Sequence, residues 1–208
     1  MFFGRARVEL GVALGTILPE ERLSTAARWT GGGVRVAERI GDTDMLGQAL
    51  TRHGNELRKA GHVKAAVVRL QHAATVAAVA DARGAALILL ARAAGELGAT
   101  PAFDEALRNH RPLLERHAGE SMLFNPFTTR EVELRGLLAT GRTDLAVRLA
   151  TVGPPPVSGP VAPQWAVIER VTVGAVLVSA RLSRATDPPG PTGRPPVDLL
   201  GCRGIRST

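Results

Sequence analysis

The chain has 208 residues, of which 45% are apolar but only 3% are aromatic, and tyrosine is absent. This composition allows one domain with a sizeable core, and its Ala- and Leu-rich apolar set favours close-packed helices over a β-rich fold. The net charge is +7, so one hypothesis is a protein that binds nucleic acid directly. All basic residues except Lys59 and Lys64 are arginine, which is typical of GC-rich bacterial genes and weakens that hypothesis.

Cysteine content and hydropathy bear on the compartment. The single cysteine, Cys202, excludes a disulfide within the chain and a Cys-based zinc site, which favours a reducing cytoplasm. The apolar run Leu10–Leu18 is a poor signal peptide. The most apolar later stretch, between Arg170 and Arg181, is too short to span a bilayer. We therefore expect a cytoplasmic protein that does not enter a membrane.

The N-terminal part predicts two helices. The segment ARVELGVALG has helical periodicity, and Pro19 followed by Glu20 and Glu21 marks the start of a second helix. The run Gly31–Gly33 falls inside this second helix. Each glycine costs about 1 kcal/mol in a helix interior, so a break or a distorted turn is expected there.

The next segment predicts an antiparallel helical hairpin. In its first helix, the spacing of apolar residues places Leu46, Leu50, His53 and Leu57 on one face. Gly61 stands where a helix end favours the left-handed conformation. A second amphipathic helix follows at once, with its apolar face at Val63, Val67, Leu70 and Ala74. Two helices with so short a linker must fold back on each other.

The hairpin pattern recurs along the chain. Helix-ending glycines stand at Gly61, Gly98 and Gly141, which are 37 and 43 residues apart. After Gly98, Thr100 is expected to cap the next helix with Pro101 at its first position. Repeats of this length predict an all-α fold, an α-α superhelix of stacked helical hairpins.

The segment FNPFTTREVELRGLLATGR contains the start of one of these helices. Asn125 is a predicted N-cap and Pro126 the first helical residue, although 128–131 offers an alternative capping box. Phe124 and Phe127 are expected to pack at the helix entry. The alternative is that these two rings form an aromatic contact surface.

The C-terminal part divides into a loop, a helix and a tail. Residues 153–163 are rich in Pro and Gly and predict a loop, and one more helix is expected at about Gln164–Ser183. The remaining Pro- and Gly-rich residues lack periodicity. We expect a helical-repeat domain over 1–185 and a disordered tail over 186–208.

One repeat carries a specific resemblance. The stretch LTRHGNELRKAGHVKAAVVRLQHA resembles a tetratricopeptide repeat in its spacing of large and small residues, which are Leu50, Gly54, Leu57, Gly61, Ala66, Leu70 and Ala73. His53 stands where the family usually has an aliphatic residue. In the repeat around Gly141, Arg130 and Glu133 depart from the pattern.

The chain over roughly 5–185 resembles the repeat region of actinobacterial helix-turn-helix (XRE-type) transcriptional regulators. The stretches GNELRKAG, LARAAGELG, LFNPFTTREVELRGLLATGR and QWAVIERV carry this resemblance. Such regulators have a DNA-binding domain before the repeats, and the chain shows no such motif. The resemblance implies a protein- or peptide-binding module, the sensor part of a transcriptional regulator, with a DNA-binding protein as a partner. The oligomeric state stays open between a monomer and a homodimer.

The first helices of stacked hairpins line a concave groove that holds a peptide or a partner segment. The residues expected to point into this groove are Thr51, Asn55, Arg58, Arg92, Glu131 and Arg135. Asparagine can hydrogen-bond an extended backbone, and arginine can hold a carboxylate in a two-pronged contact. The alternative is an ordinary solvated face.

Other chemistries find little support in the sequence. His110 and His117 are seven residues apart and share a helix face, but no acidic or Cys partner has a matching spacing, so no metal site is expected. No nucleophile is paired with a base, and no two carboxylates are expected to share a pocket. We therefore expect a protein without catalytic activity and without a cofactor.

Overall fold

The computed structural model describes residues 2–116, 123–153 and 163–186, with side chains up to residue 182. All regular structure in these ranges is helical, which confirms the predicted all-α class. The helices are α1 (Phe2–Ile17), α2 (Leu23–Ile40), α3 (Thr43–Lys59), α4 (Val63–Val76), α5 (Ala80–Glu96), α6 (Thr100–Arg116), α7 (Pro126–Ala139), α8 (Thr143–Thr151) and α9 (Pro163–Thr186). A 3-10 turn, Glu20–Arg22, precedes α2.

The helices form stacked hairpins in two layers. α1 packs on α2, α3 on α4, α5 on α6, and α7 on α8. The first helix of each hairpin also contacts the first helix of the next, so α1, α3, α5, α7 and α9 form one continuous layer, here called the first layer. The second layer consists of α2, α4, α6 and α8. This arrangement is the predicted α-α superhelix.

Glycines in the left-handed backbone conformation stand at helix ends where the chain reverses into the next helix. Gly61, Gly98 and Gly141 have φ values of 80°, 71° and 75°, as their positions predicted, and Gly41 adds a fourth case at 68°. At the first of these, the Gly61 N–H donates to a carbonyl of the preceding turn at 3.0 Å. Residues with a Cβ atom rarely adopt this backbone conformation, so glycine allows the tight reversal between neighbouring helices at little conformational cost.

The run Gly31–Gly33 does not break its helix, so the predicted interruption is wrong. α2 is continuous through it. A Cβ atom at Gly33 would lie 2.3 Å from Val8 Cγ2, and one at Gly31 would lie 3.0 Å from His53 Cε1. The glycines therefore allow α1 and α3 to approach α2 closely, and this packing offsets the low helix propensity of glycine.

The core uses the same pairing of small and large residues between helices. Leu70 of α4 is fully buried over Gly54 of α3, whose Cβ would lie 2.5 Å from Leu70 Cγ. Phe103 of α6 is fully buried over Gly136 of α7 in the same way. Burying a large apolar side chain stabilises the fold by about 1.5–3 kcal/mol. Each glycine makes room for one such buried side chain on the neighbouring helix.

The start of α7 follows the sequence prediction. Asn125 Oδ1 accepts a hydrogen bond from the Thr128 N–H at 2.9 Å, and Pro126 is the first helical residue. Phe124 is fully buried and Phe127 is 9% exposed. The Asn-Pro cap is therefore confirmed, and the rings belong to the core instead of an aromatic contact surface.

The cap predicted at Thr100 is shifted by one residue. α6 begins at Thr100 itself, and the Phe103 N–H donates to the Ala99 carbonyl at 3.0 Å. Ala99 thus occupies the position before the helix, where the sequence analysis placed Thr100.

The boundaries at the C-terminal end are partly described. α9 covers the helix predicted at about Gln164–Ser183. The predicted loop 153–163 is described only at its two ends, and the predicted tail 186–208 is described only at residue 186. His117 also lies outside the described residues. None of the described helices combines the length and the apolar character that a membrane crossing requires.

Candidate functional site

The first layer carries a series of ion pairs that joins three successive hairpins, here called the ion-pair ladder. Arg58 Nη1 of α3 lies 2.7 Å from Glu96 Oε1 of α5. One turn earlier on α5, Arg92 pairs with Glu131 of α7. Arg135 Nε lies 2.6 Å from Glu131 Oε1. Four of the six residues predicted to bind a ligand are thus members of this ladder.

Burial divides the ladder into an inner and an exposed part. The Glu131 side chain is only 2% exposed and bonds two guanidinium groups, whereas the Arg135 side chain is 60% exposed. Burial lowers the pKa of Arg92, and the neighbouring Glu131 opposes this effect. The inner pair therefore holds α5 against α7, and Arg135 and Glu96 are the members that solvent or a partner reaches.

The other two predicted residues lie on the same side of α3. Asn55 Oδ1 accepts hydrogen bonds from Nε and Nη2 of Arg58, both at 3.3 Å, so Asn55 orients the arginine. Thr51 is buried and donates its hydroxyl to the Gly47 carbonyl at 2.8 Å. Thr51 therefore contributes shape to this face, because its donor is already engaged within α3.

Two adjoining cavities, of about 300 Å³ and 260 Å³, open on the first layer, the larger of them beside Thr51, and are here called the first-layer cavities. Their walls come from α1, α3 and α5. Around the axis of α3, at about 100° per residue, Gln48, Arg52 and Asn55 fall within about 60° of each other. The cavities and the ion-pair ladder therefore lie along one continuous face of the first layer.

Apart from Thr51, the polar residues of these cavities were not predicted from the sequence. They are Arg5 and Glu9 on α1, Gln48 and Arg52 on α3, and Asp81 on α5. None of the four charged ones forms an ion pair with another described residue. The positions of Gln48 and Arg52, seven and three residues before the predicted Asn55, place them on the same face. This helical spacing is the feature of the sequence from which Gln48 and Arg52 could have been predicted.

The two residues that depart from the repeat pattern have structural partners. Arg130 Nε lies 2.6 Å from Glu169 Oε1 of α9, and Arg130 Nη2 donates to the Val152 carbonyl at 2.5 Å. Both side chains of this pair are less than 10% exposed. Glu133 pairs with Arg111 of α6 at 2.6 Å on the surface. These departures join α7 to its neighbours and leave the candidate site to other residues.

The described histidines do not form a metal centre. The described part of the chain contains no group of three or more His, Cys, Asp or Glu residues placed to hold a metal ion. His110 is fully buried, its ring meets the Phe124 ring edge-on at 5.3 Å, and burial together with nearby Arg111 lowers its pKa to about 4. His110 is therefore a neutral core residue at physiological pH.

Comparison with known proteins identified no similar protein. No protein-family model matches the sequence, and no curated protein or solved structure matches the chain. The helical fold thus comes from the structure of this chain alone, and the likeness to the repeat region of transcriptional regulators stays a hypothesis based on its motifs.

Proposed function

We propose that the chain is a helical-repeat interaction module whose first layer binds an extended segment of another protein. The observation that carries this proposal is the shared face on which the first-layer cavities continue into the ion-pair ladder. This face crosses α1, α3, α5 and α7. Polar side chains therefore follow one another across four neighbouring helices, where a ligand can contact them in sequence.

The extent of this face suits a peptide. A helix with its side chains is about 10 Å across, so four neighbouring helices present a surface about 30–40 Å long. An extended chain spans about 3.3 Å per residue, so about ten residues match this length. A compact small molecule would occupy only one of the cavities.

The chemistry of the face also suits a peptide backbone. Glu9 and Asp81 supply acceptors for N–H groups or basic side chains, and Arg52 supplies donors for carbonyl or carboxylate oxygens. Gln48 supplies both a donor and an acceptor. Donors and acceptors in alternation complement a main chain, which carries one of each per residue.

We further propose that this module is the sensor part of a transcriptional regulator with a DNA-binding protein as its partner. The support is the resemblance of GNELRKAG, LARAAGELG and QWAVIERV to the repeat region of such regulators. In this setting the bound segment is the input, and the exposed members of the ladder, Arg135 and Glu96, are placed to respond to it.

The test is selection of peptides from a displayed random library on the immobilised protein, followed by fluorescence anisotropy with the enriched peptides. The double variant Gln48→Ala, Arg52→Ala is expected to weaken binding by on the order of tenfold, because it removes three hydrogen-bonding groups without disturbing the ladder. The double variant Gln71→Ala, Arg69→Ala removes the same residue types from α4 and is the control. Equal affinities of the two variants, or an unenriched library, would contradict the proposal.

Direct binding to nucleic acid is the alternative from the sequence, and it has less support. Several arginines are already neutralised by carboxylates, namely Arg58, Arg92, Arg111, Arg130, Arg135 and Arg142. An electrophoretic mobility-shift assay at low salt addresses this alternative, since phosphate contacts weaken steeply as salt increases.

A further inference from the structure

A cavity of about 600 Å³ lies between α2, α3 and α4, and it is here called the second-layer cavity. On α3 it is lined by His53 and Leu57, whereas Gln48 and Arg52 line the first-layer cavities. His53 and Leu57 lie about 140° or more from Gln48 around the helix axis. The second-layer cavity is therefore separate from the face proposed for peptide binding, and an inference drawn from it goes beyond that function.

Three arginines converge on this cavity without acidic partners. Arg28 and Arg35 stand seven residues apart on one face of α2, and Arg69 faces them from α4. None of the three forms an ion pair within the described ranges, and Arg28 Nη2 donates a hydrogen bond to the uncharged Thr25 Oγ1 at 3.2 Å. Glu38 is the one acidic residue in the lining. The cavity thus has an excess of positive charge that the protein itself leaves unpaired.

The floor of the cavity is apolar and is shaped by a glycine. Ala27, Val34 and Leu57 contribute aliphatic surface. Gly31 lets the His53 ring lie against α2, since a Cβ atom there would be 3.0 Å from His53 Cε1. A ligand can therefore place an apolar body between the helices while its charged group meets the arginines.

The pKa of His53 is sensitive to the positive charges around the same cavity. Its Nδ1 lies 3.1 Å from Thr30 Oγ1, which fixes the ring. Burial, together with the positive charges of Arg69 and Arg35, lowers the pKa of His53 to about 4. The two arginines that disfavour a proton on this ring would favour an anion beside it.

We propose that the second-layer cavity binds a small organic anion, with an apolar body on the floor and a phosphate or carboxylate group between Arg35 and Arg69. Guanidinium groups bind both of these oxyanions in two-pronged geometry. The volume is in the range of small-molecule sites, which is about 300–1,000 Å³. A recessed apolar floor favours such a molecule over a nucleic-acid backbone.

Isothermal titration calorimetry with four probes tests this proposal: phenyl phosphate, phenylacetate, inorganic phosphate and phenol. At least one of the two aromatic anions is expected to bind on the order of tenfold more tightly than inorganic phosphate and than phenol, because only these anions use both the floor and the arginines. The tighter of the two identifies the preferred oxyanion. Equal weak binding of all four probes would overturn the proposal.

Variants locate the site. Arg35→Ala with Arg69→Ala is expected to weaken the better probe by on the order of tenfold or more, because charge-assisted hydrogen bonds are lost. Arg39→Ala with Lys64→Ala changes the same net charge on the same two helices outside the cavity and should leave binding unchanged. Equal loss in both variants would show only nonspecific attraction and would overturn the proposal. All four positions are exposed, so each fold can be checked by its unfolding midpoint.

Two further arms separate this site from other interpretations. A short DNA duplex that binds more tightly than either aromatic anion and is lost in Arg35→Ala with Arg69→Ala would make the cavity a nucleic-acid surface and overturn the proposal. The first-layer variant Gln48→Ala, Arg52→Ala should bind the better probe like the wild type. Failure of peptide binding and failure of anion binding are thus distinguishable, since each has its own variants.

Discussion

The two ends of the superhelix hold their helices together by different means. In the α1–α2 hairpin, glycines bring the helix backbones close, and a Cβ atom at Gly11 would lie 2.8 Å from the Thr30 nitrogen. At the other end, α7 and α9 are joined by the buried pair of Arg130 and Glu169. The α1–α2 contact depends on the missing side chains of glycines, whereas the α7–α9 contact includes an ion pair between two long charged side chains.

This difference explains why both ends depart from simple sequence rules. Glycine in a helix interior is unfavourable by propensity, and an arginine in a repeat core is unfavourable by desolvation. Each becomes favourable only through a neighbour on another helix. An unexpected residue within a clear helical pattern is therefore a sign of a specific tertiary contact.

The largest expected effect comes from breaking the charged end. Arg130→Met leaves Glu169 buried without its partner and removes a donor from the Val152 carbonyl, so we expect a loss of about 3–5 kcal/mol in the free energy of unfolding. Urea unfolding measures it. Arg111→Met in α6 breaks the surface pair with Glu133 of α7 and should cost less than about 1 kcal/mol.

The double variant Arg130→Met, Glu169→Leu sharpens this result. It replaces the ion pair by apolar side chains of similar size, and most of the lost stability should return. The role assigned to the buried pair fails if Arg130→Met costs no more than Arg111→Met.

An intermediate effect is expected at the glycine end. In Gly11→Ala the new methyl group meets the backbone of α2, so we expect a loss of about 1–3 kcal/mol although alanine is the better helix former. Gly174→Ala in α9 is the matched control, because nothing lies within 4 Å of its Cβ position. It should gain up to about 1 kcal/mol. Changes of the same sign in both variants would contradict the close-contact explanation.

The smallest effect at neutral pH concerns His53, which joins α2 and α3 through Thr30. The unfolded chain takes up a proton here near pH 6.5 and the native state near pH 4, so this residue lowers stability as the pH falls between these values. Glu56 acts in the opposite sense, because burial raises its pKa and the native state binds its proton first.

Urea midpoints between about pH 7 and about pH 5 measure this dependence. The wild type should lose more of its midpoint over this range than His53→Gln, in which one of the two low-pKa histidines is removed. His110 and Glu56 are unchanged in the variant, so their contributions cancel in the comparison. Parallel midpoint curves would show that His53 does not contribute.

Much of the fold could be predicted from local sequence. Helical periodicity and the helix-ending glycines 61, 98 and 141 fixed the hairpins, because these features depend on residues within one or two turns. The run Gly31–Gly33 was misinterpreted, since propensity describes an isolated helix and contains no information about α1 or α3. The partner of Arg130 lies 39 residues away on another helix, which no local rule connects.

The candidate site shows the same limit. Spacing predicted that Thr51, Asn55 and Arg58 share one face of a helix, and α3 is helical through all three. The contacts of Arg58 with Glu96 and of Arg92 with Glu131 depend on how neighbouring hairpins are offset, so the sequence could not give them. The arginines of the second-layer cavity come from two hairpins and were missed for the same reason.

The contacts described above connect each helix only to its near neighbours in the chain, from the α1–α2 hairpin to α9. Folding of such a chain can begin at any hairpin and extend in both directions, because no hairpin needs contacts with a segment far away in the sequence. Amide hydrogen exchange should therefore be slowest in the central α5, which has packed neighbours on both sides, and should quicken toward either end.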